Sequence, residues 1–493
     1  MSQDEKRSQD FTETVLENGA HHGVAVPVPE SLAKLSESEI AVIDAQATRK
    51  LDLLLMPALV VLYVLNFLDR NNLSTAKIGG LTVDLNMTTE QFATTVAVLF
   101  AGYISLQVPS NMVASRVSKP AVYICIMTAL WGTVSACTGA VQSYAGLAIC
   151  RTVLGFTEAA FFPGALYLLS TFYTRKQLAL RTAILYSGSQ LGNAFGGLFA
   201  LAILELDGAH GIAGWRWLFI IEGAMTVGIA IIFSTFIPNK PKNMRWVTDL
   251  ERDRLMYRLE FDRGQKDTSN EQTIGQAAME AVTDPKVWIV CLALTLAWVA
   301  SAVTNFFPLV VQSLGFNRTT TLGITAPPYI FSIICITING WHSDKTRERA
   351  WHIIVPFIVC IIANVIAVST LSVGGRYFAM MLMPASFYSA GMVLLSWVST
   401  TVVGSNSKRA VALAIINAVS NTSNIWTSYI YTGAPRYTIA FSVNVAASFC
   451  VIVVVLILRR YLQHLNKRLD RGEDLGRSGP SEAQIEGGFR FAL

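Results

Sequence analysis

Charge is the scarce commodity in this sequence. Only 14% of its 493 residues are Asp, Glu, Lys or Arg, against roughly 25% in an ordinary soluble domain. Meanwhile 52% are hydrophobic and the mean hydropathy is +0.45. That excludes a disordered chain and argues against a soluble multidomain enzyme. A net charge of +5 is too small to call for nucleic acid as a partner. Histidine is scarce as well: His21, His22, His210, His342, His352 and His464 fall in polar stretches or at the ends of apolar ones. No histidine-based catalytic constellation can assemble at one depth from those positions. The seven cysteines sit inside apolar segments without CxxC or Cys/His metal spacing, so neither disulfide, metal nor other cofactor is expected. The first 50 residues are polar, with nine acids and five bases. They hold no short apolar run with a cleavage site, so no signal peptide is expected there.

Long apolar runs are what the sequence has. A bilayer-crossing helix needs about 20 mostly apolar residues, and twelve such stretches occur: near 53–73, 91–114, 120–140, 143–171, 181–204, 215–237, 286–313, 322–341, 352–372, 376–403, 409–432 and 436–459. The expected fold class is an all-α polytopic membrane protein, with twelve transmembrane helices in two six-helix halves. The expected organisation is a tail at 1–50, a first half at 51–237, a linker at 238–285 that is not a folded domain, a second half at 286–459, and a disordered tail at 460–493. Of 38 Lys and Arg, five fall in loops on one side (Lys77, Arg216, Arg318, Arg376, Arg436) and two inside spans (Arg70, Arg151). The other 31 lie on the side of the termini and linker. The positive-inside rule makes that side cytoplasmic. A multi-pass protein, of the plasma membrane and acting as a monomer, is the expectation.

Few ionisable residues lie inside the spans: Asp69 and Arg70 in span 1, Arg151 and Glu158 in span 4, Glu222 in span 6. Each costs about 2.5–3.5 kcal/mol at the bilayer centre on insertion scales, so together they require a polar cavity or one another. Arg151 and Glu158 are two helical turns apart on one face, as Asn66 and Arg70 are one turn apart. The simplest arrangement sets Asp69 and Arg70 opposite Arg151 and Glu158 across a wet cavity, where protonation of an acid frees an arginine for an anion. The competing reading is a static ion-pair cluster joining spans 1 and 4. Glu222, beside Gly223, is equally open to a structural role. In span 11, Asn417, Asn421, Asn424 and Ser428 share one helical face. Gln190 and Asn193 in span 5 and Tyr388, Ser396 and Trp397 in span 10 are further candidate walls. Hydrogen bonding between helices is the alternative for each.

The loop Gly340-Trp341-His342-Ser343-Asp344-Lys345-Thr346-Arg347-Glu348-Arg349 resembles the G-x-x-x-D-(R/K)-x-G-(R/K)-(R/K) signature of the major facilitator superfamily, with Arg347 in place of the second glycine. The resemblance implies two six-helix halves with substrate between them, and a latch in which Asp344 caps a neighbouring helix and pairs with Arg347 and Arg349. The corresponding first-half loop, from Pro109 through Arg116 and Lys119, lacks the Asp. Asn66-Phe67-Leu68-Asp69-Arg70-Asn71-Asn72-Leu73 resembles the N-(F/Y)-L-D-R-x-N-(L/I) signature of the anion:cation symporter family. Arg151 through Gly155, Glu158, Pro163 and Gly164 resembles that family's span 4, and Gly214-Trp215-Arg216-Trp217 through Glu222-Gly223 its span 6. The general character is that of the fungal branch of allantoate, nicotinate and vitamin permeases. The resemblance implies Asp69 and Glu158 as proton carriers, Arg70 on the substrate carboxylate, and Arg151 coupled to Glu158. Gly188 through Gly197 resembles a drug-antiporter stretch but carries Asn193 where that has proline, which counts against efflux.

The function expected is therefore proton-coupled symport of a small organic anion, with the anion, protons and the lipid bilayer as partners. The alternative is an exporter of an acidic secondary metabolite on the same scaffold. A membrane-embedded enzyme lacks its constellation, and a non-transporting nutrient receptor lacks long tails. Asn-x-Ser/Thr sequons at Asn86 and Asn317 fall in loops expected outside, where glycosylation is possible. Those at Asn72 and Asn421 fall within spans.

Overall fold

The computed structural model describes residues 29, 31–33, 35–244, 246–264, 274–403, 406–473, 475–476, 479–480 and 489–493. His21 and His22, most of the N-terminal tail, and parts of the linker and C-terminal tail lie outside the described residues. Among the described residues every regular element is a helix.

The helices start where the sequence supplies caps. Ser36 and Glu39 form a reciprocal capping box that opens the helix of span 1, Glu37–Ile78. Thr88 and Gln91 do the same for span 2, Thr89–Arg116. Proline at the first turn opens span 3, Pro120–Thr138, where its missing N–H is no loss. Span 4 is two helices, Tyr144–Glu158 and Phe161–Phe172. Spans 5 and 6 are Arg175–Leu204 and Gly214–Phe236. Span 7 runs from Pro285–Ser301 through a 3-10 turn, Ala302–Phe306, into Phe307–Gln312. Span 8 comprises Arg318–Gly323 and Ala326–Thr346. Spans 9 and 10 are Ala350–Ser369 and Val373–Thr401. Span 11 breaks into Asn406–Asn421 and Ser423–Thr427, and span 12 is Thr438–Asp470. Among the described residues, ten of these spans are long and apolar enough to cross a membrane. Spans 5 and 11 complete the set with more polar side chains, at equivalent places in the two halves.

Glycine sets the helix spacing. A methyl group on Gly155 would lie 2.2 Å from the Leu99 carbonyl oxygen, and one on Gly102 would lie 2.5 Å from that of Thr152, so spans 2 and 4 touch backbone to backbone. Gly132 and Gly223 bring spans 3 and 6 equally close. Gly192 lets span 5 pack on Phe67 and Val64 of span 1. The two halves close on each other at the face away from the linker. There Ser74 donates to the Asn305 carbonyl, Tyr429 donates to Thr94 at 3.1 Å, and Phe92 meets Phe306 edge-on.

Several boundaries differ from expectation, among them span 12, whose helix runs to Asp470 inside the expected tail. Span 1's helix begins at Glu37, inside the expected tail. The linker carries two helices, Asp249–Gly264 and Ile274–Thr283. Leu255 and Leu259, one turn apart, are buried there, and Arg254 and Arg258 pair with Asp44 at 2.7 and 3.5 Å. Lys50 meets Glu251 at 2.8 Å. Burial of Glu251 opposes its charge, but the bonds from Lys50 and Thr248 prevail and hold its carboxyl below the usual range. The end of the chain, expected to be disordered, docks instead. Phe491 is buried, its N–H and carbonyl both engage the Asn466 amide at 2.9 Å, and Trp397 Nε1 donates to the Ala492 carbonyl at 2.9 Å.

Candidate functional site

A cavity of about 120 Å³ lies between the halves, lined among others by Asn66, Arg70, Tyr103, Glu158, Tyr388, Asn417, Asn421 and Asn424. Spans 1 and 4 supply its charges. Arg70 donates from both Nε and Nη2 to one oxygen of Glu158, at 3.1 and 2.8 Å. Its guanidinium lies over the rings of Tyr103, Phe67 and Phe100 at 5.0, 5.5 and 5.7 Å, an arrangement that favours a cation. The other oxygen of Glu158 is buried and has no partner.

The remaining charges are placed differently from the simple four-residue arrangement. Arg151 donates to the carbonyls of Arg70 and Asp69, at 3.0 and 3.4 Å, not to Glu158. It holds the span 1 backbone in place beneath Arg70. Asp69 stands outside the cavity lining and points into the packing of the first half. It accepts from Ser135 Oγ at 2.6 Å, Trp131 Nε1 at 3.0 Å and Thr226 Oγ1 at 3.1 Å. The structure thus brings Arg70 and Glu158 together on the cavity wall and sets Asp69 behind it. Glu222 is buried next to this group and accepts from Asn72 Nδ2 at 2.7 Å.

The amide positions divide as well. Asn66 lines the cavity with its Nδ2 unpartnered. Asn421 donates to both oxygens of Asn417 at 2.8 Å, and Asn305 donates to Asn424 at 3.3 Å. Ser428 donates back to the Asn424 carbonyl and is not part of the lining. Tyr388 accepts from Asn193 at 3.2 Å and donates to Thr304 at 3.3 Å. Gln190 is fully buried outside the lining. Trp397 is not brought to the cavity, because its indole is taken up by the docked chain end. Asn71, Tyr103, Thr304 and Asn305 were not singled out by sequence reasoning. Asn305 and Thr304 lie on the 3-10 turn of span 7, where helical periodicity fails, but the polar pair inside an apolar run was a usable signal.

At the loop after span 8, Asp344 pairs with Arg349 at 2.7 Å. It does not cap span 9. The Leu493 carbonyl takes that position, accepting from the backbone N–H groups of Arg349 and Ala350. Arg347 ends span 8 at φ 54°, a left-handed conformation suited to the glycine of the signature. Asn86 is exposed at φ 48°. The Asn317 side chain caps the first helix of span 8, accepting from Thr320 N at 2.8 Å.

The sequence matches the Major Facilitator Superfamily over residues 59–428. An MFS-type transporter, efuF, from Hormonema carpetanum is 30% identical, over 88% of this chain and 90% of its own. The MFS-type transporter cnsO from Penicillium expansum is 31% identical, over 89% and 86%. Among solved structures, a bacterial homologue of the human lysosomal transporter Spinster superposes with a TM-score of 0.62 at 17% identity, covering 86% of this chain and 96% of that one. The xylose transporter XylE from E. coli does so at 0.59 and 15%, covering 80% and 95%.

Proposed function

The chain belongs to the major facilitator superfamily and is a membrane transporter rather than an enzyme, and from that premise we propose that it couples protons to the movement of a small organic anion, as in the anion:cation symporter family. One observation carries the reading: Arg70 donates twice to one oxygen of Glu158 on the cavity wall. With Glu158 ionised, the guanidinium is occupied and the pair is neutral. A proton on Glu158 removes that charge-assisted hold and leaves a planar fork of donors suited to a carboxylate. Asn66, Asn417 and Asn421 then serve the uncharged parts of the substrate. Asp69 is the second proton carrier in this reading, and Arg151 keeps the backbone of Asp69 and Arg70 in place.

In the same reading the linker face is cytoplasmic, Asn86 and Asn317 face outward as candidate glycan acceptors, and Asp344, Arg347 and Arg349 work the inner gate. Direction is set by the gradients, so export of an acidic metabolite would use the same pair. The deciding experiment is transport into proteoliposomes, screened with radiolabelled small carboxylates. Glu158→Gln should abolish accumulation against a gradient while exchange of substrate persists and loses its pH dependence. Uphill accumulation by Glu158→Gln at the wild-type rate rejects the proposal.

A further inference from the structure

Glu222 belongs to no role assigned above. It is 1% exposed on span 6. Asn72 donates to one of its oxygens at 2.7 Å, and the other oxygen is buried without a partner. It sits on a two-rung ladder between spans 1 and 6. One rung is Asp69 to Thr226, the other Asn72 to Glu222. The rungs are three residues apart on span 1 and four apart on span 6, about one turn.

The charges around this ladder do not balance. Span 1 contributes Asp69 and Arg70, span 4 contributes Arg151 and Glu158, and span 6 contributes Glu222. Span 3, packed against the ladder, has no charged residue within Pro120–Thr138 and offers Trp131 and Ser135 to Asp69. Of the other cations on these elements, Arg49 and Lys50 lie about five turns from the ladder, towards the linker. Lys77 lies over the Phe92 ring, and Arg216 is bound to the carbonyls of Gly139 and Val141 and to Asp84. Three acids thus face two arginines. One proton makes the group neutral, and the hydrogen bonds decide which acid holds it. Asp69 has three donors and Glu158 accepts twice from a charged arginine, so both are supported as anions. Glu222 has one neutral donor, which is poor support for a buried anion.

We propose that Glu222 is a third proton site, holding in the substrate-free protein the proton that makes the first-half charge cluster neutral. Asp69 and Glu158 then balance Arg151 and Arg70, and a monoanion arriving at Arg70 calls for one further proton, at Glu158. This last step rests on the transport reading given above, but the site itself rests on the charge count and the hydrogen bonds alone.

Infrared spectroscopy of the purified, substrate-free protein near neutral pH tests the site. The wild type should show the carbonyl stretch of a protonated, singly hydrogen-bonded carboxylic acid, and Glu222→Gln should lack it. Gln keeps the size and the acceptor for Asn72. A proton held only in the folded state also makes stability fall as pH rises towards the pH at which Glu222 loses it in the fold, so the alkaline fall in melting temperature should flatten in Glu222→Gln. Should Glu222→Gln not fold, Asn72→Leu takes its place, and the same band should move to higher frequency with the loss of its donor. No such band in the wild type, or a band untouched by both variants, overturns the proposal. Because no substrate is needed, the band can persist when the Glu158→Gln transport test fails, and the reverse, so the two ideas are rejected separately.

Discussion

At the residue scale, the pair of Arg70 and Glu158 was legible because charge inside apolar runs is expensive. Both stood out as ionisable residues in spans 1 and 4. What they would touch was not legible. Nothing in the order of residues shows that Arg151 serves two carbonyls, or that Asp69 meets an indole and two hydroxyls from spans 3 and 6. Those partners are fixed by helix packing, and the aromatic surround of Arg70 draws on two different spans. The resulting prediction concerns Arg70→Lys. A lysine keeps the charge but cannot present two parallel N–H donors. Losing one hydrogen bond to a charged partner costs about 1.5–3 kcal/mol, so anion affinity should fall about tenfold to a hundredfold. Equilibrium binding to the purified protein measures this, with the neutral amide of the same substrate as comparison. Equal affinity for acid and amide in the wild type would reject Arg70 as the anion site.

At the element scale, all twelve spans were legible from hydropathy. The breaks were not. Span 11 has a continuous polar stripe in sequence, yet its helix stops at Asn421, whose side-chain amide bonds the Asn417 carbonyl, the competition with backbone pairing that short amides exert. The linker helix Asp249–Gly264 was hidden because its mean composition is charged. Only its one-sided Leu255 and Leu259 betray a buried face. The docked end at Phe491 was hidden by the polar, glycine-containing stretch before it. Helix contact itself is open to test. In Gly155→Ala the new methyl would lie 2.2 Å from the Leu99 carbonyl oxygen and 2.9 Å from the Tyr103 nitrogen. Backbone cannot yield as a side chain can, so spans 2 and 4 must separate, at about 1–3 kcal/mol for overpacking. The melting temperature in detergent should drop clearly. Gly228→Ala, with nothing within 4 Å of the added methyl, should leave it unchanged. A similar melting temperature for both variants would mean that these helices are not in the contact described.

At the scale of the whole molecule, transport in this superfamily is a rocking of two halves about a central site. The loop after span 8 was legible by its signature, and the energetics of its ion pair follow from the structure. Asp344 has a side chain 71% exposed and pairs with Arg349. An exposed pair of this kind contributes about 0.2–1 kcal/mol, less than a buried charge-assisted bond. Arg349 is also held through its backbone N–H by the Leu493 carbonyl, and its side chain donates to Ser343 Oγ at 3.1 Å, so the loop keeps most of its shape without the Asp344 charge. The pair lies within one loop of the second half, so Asp344→Asn should fold normally and change the balance between the two faces by no more than about fivefold. Spin labels at positions 116 and 347, one on each half, should report this as a modest change in the ratio of the shorter- and longer-distance populations. The first-half loop has no aspartate to compensate. Because the bond is exposed, salt should weaken it in the wild type through the same screening. High salt should then move the wild-type distances towards those of Asp344→Asn while leaving the variant where it is. A distribution that responds to neither the substitution nor the salt would reduce the loop to a topology signal, and the gate would have to lie in the contacts of the docked chain end.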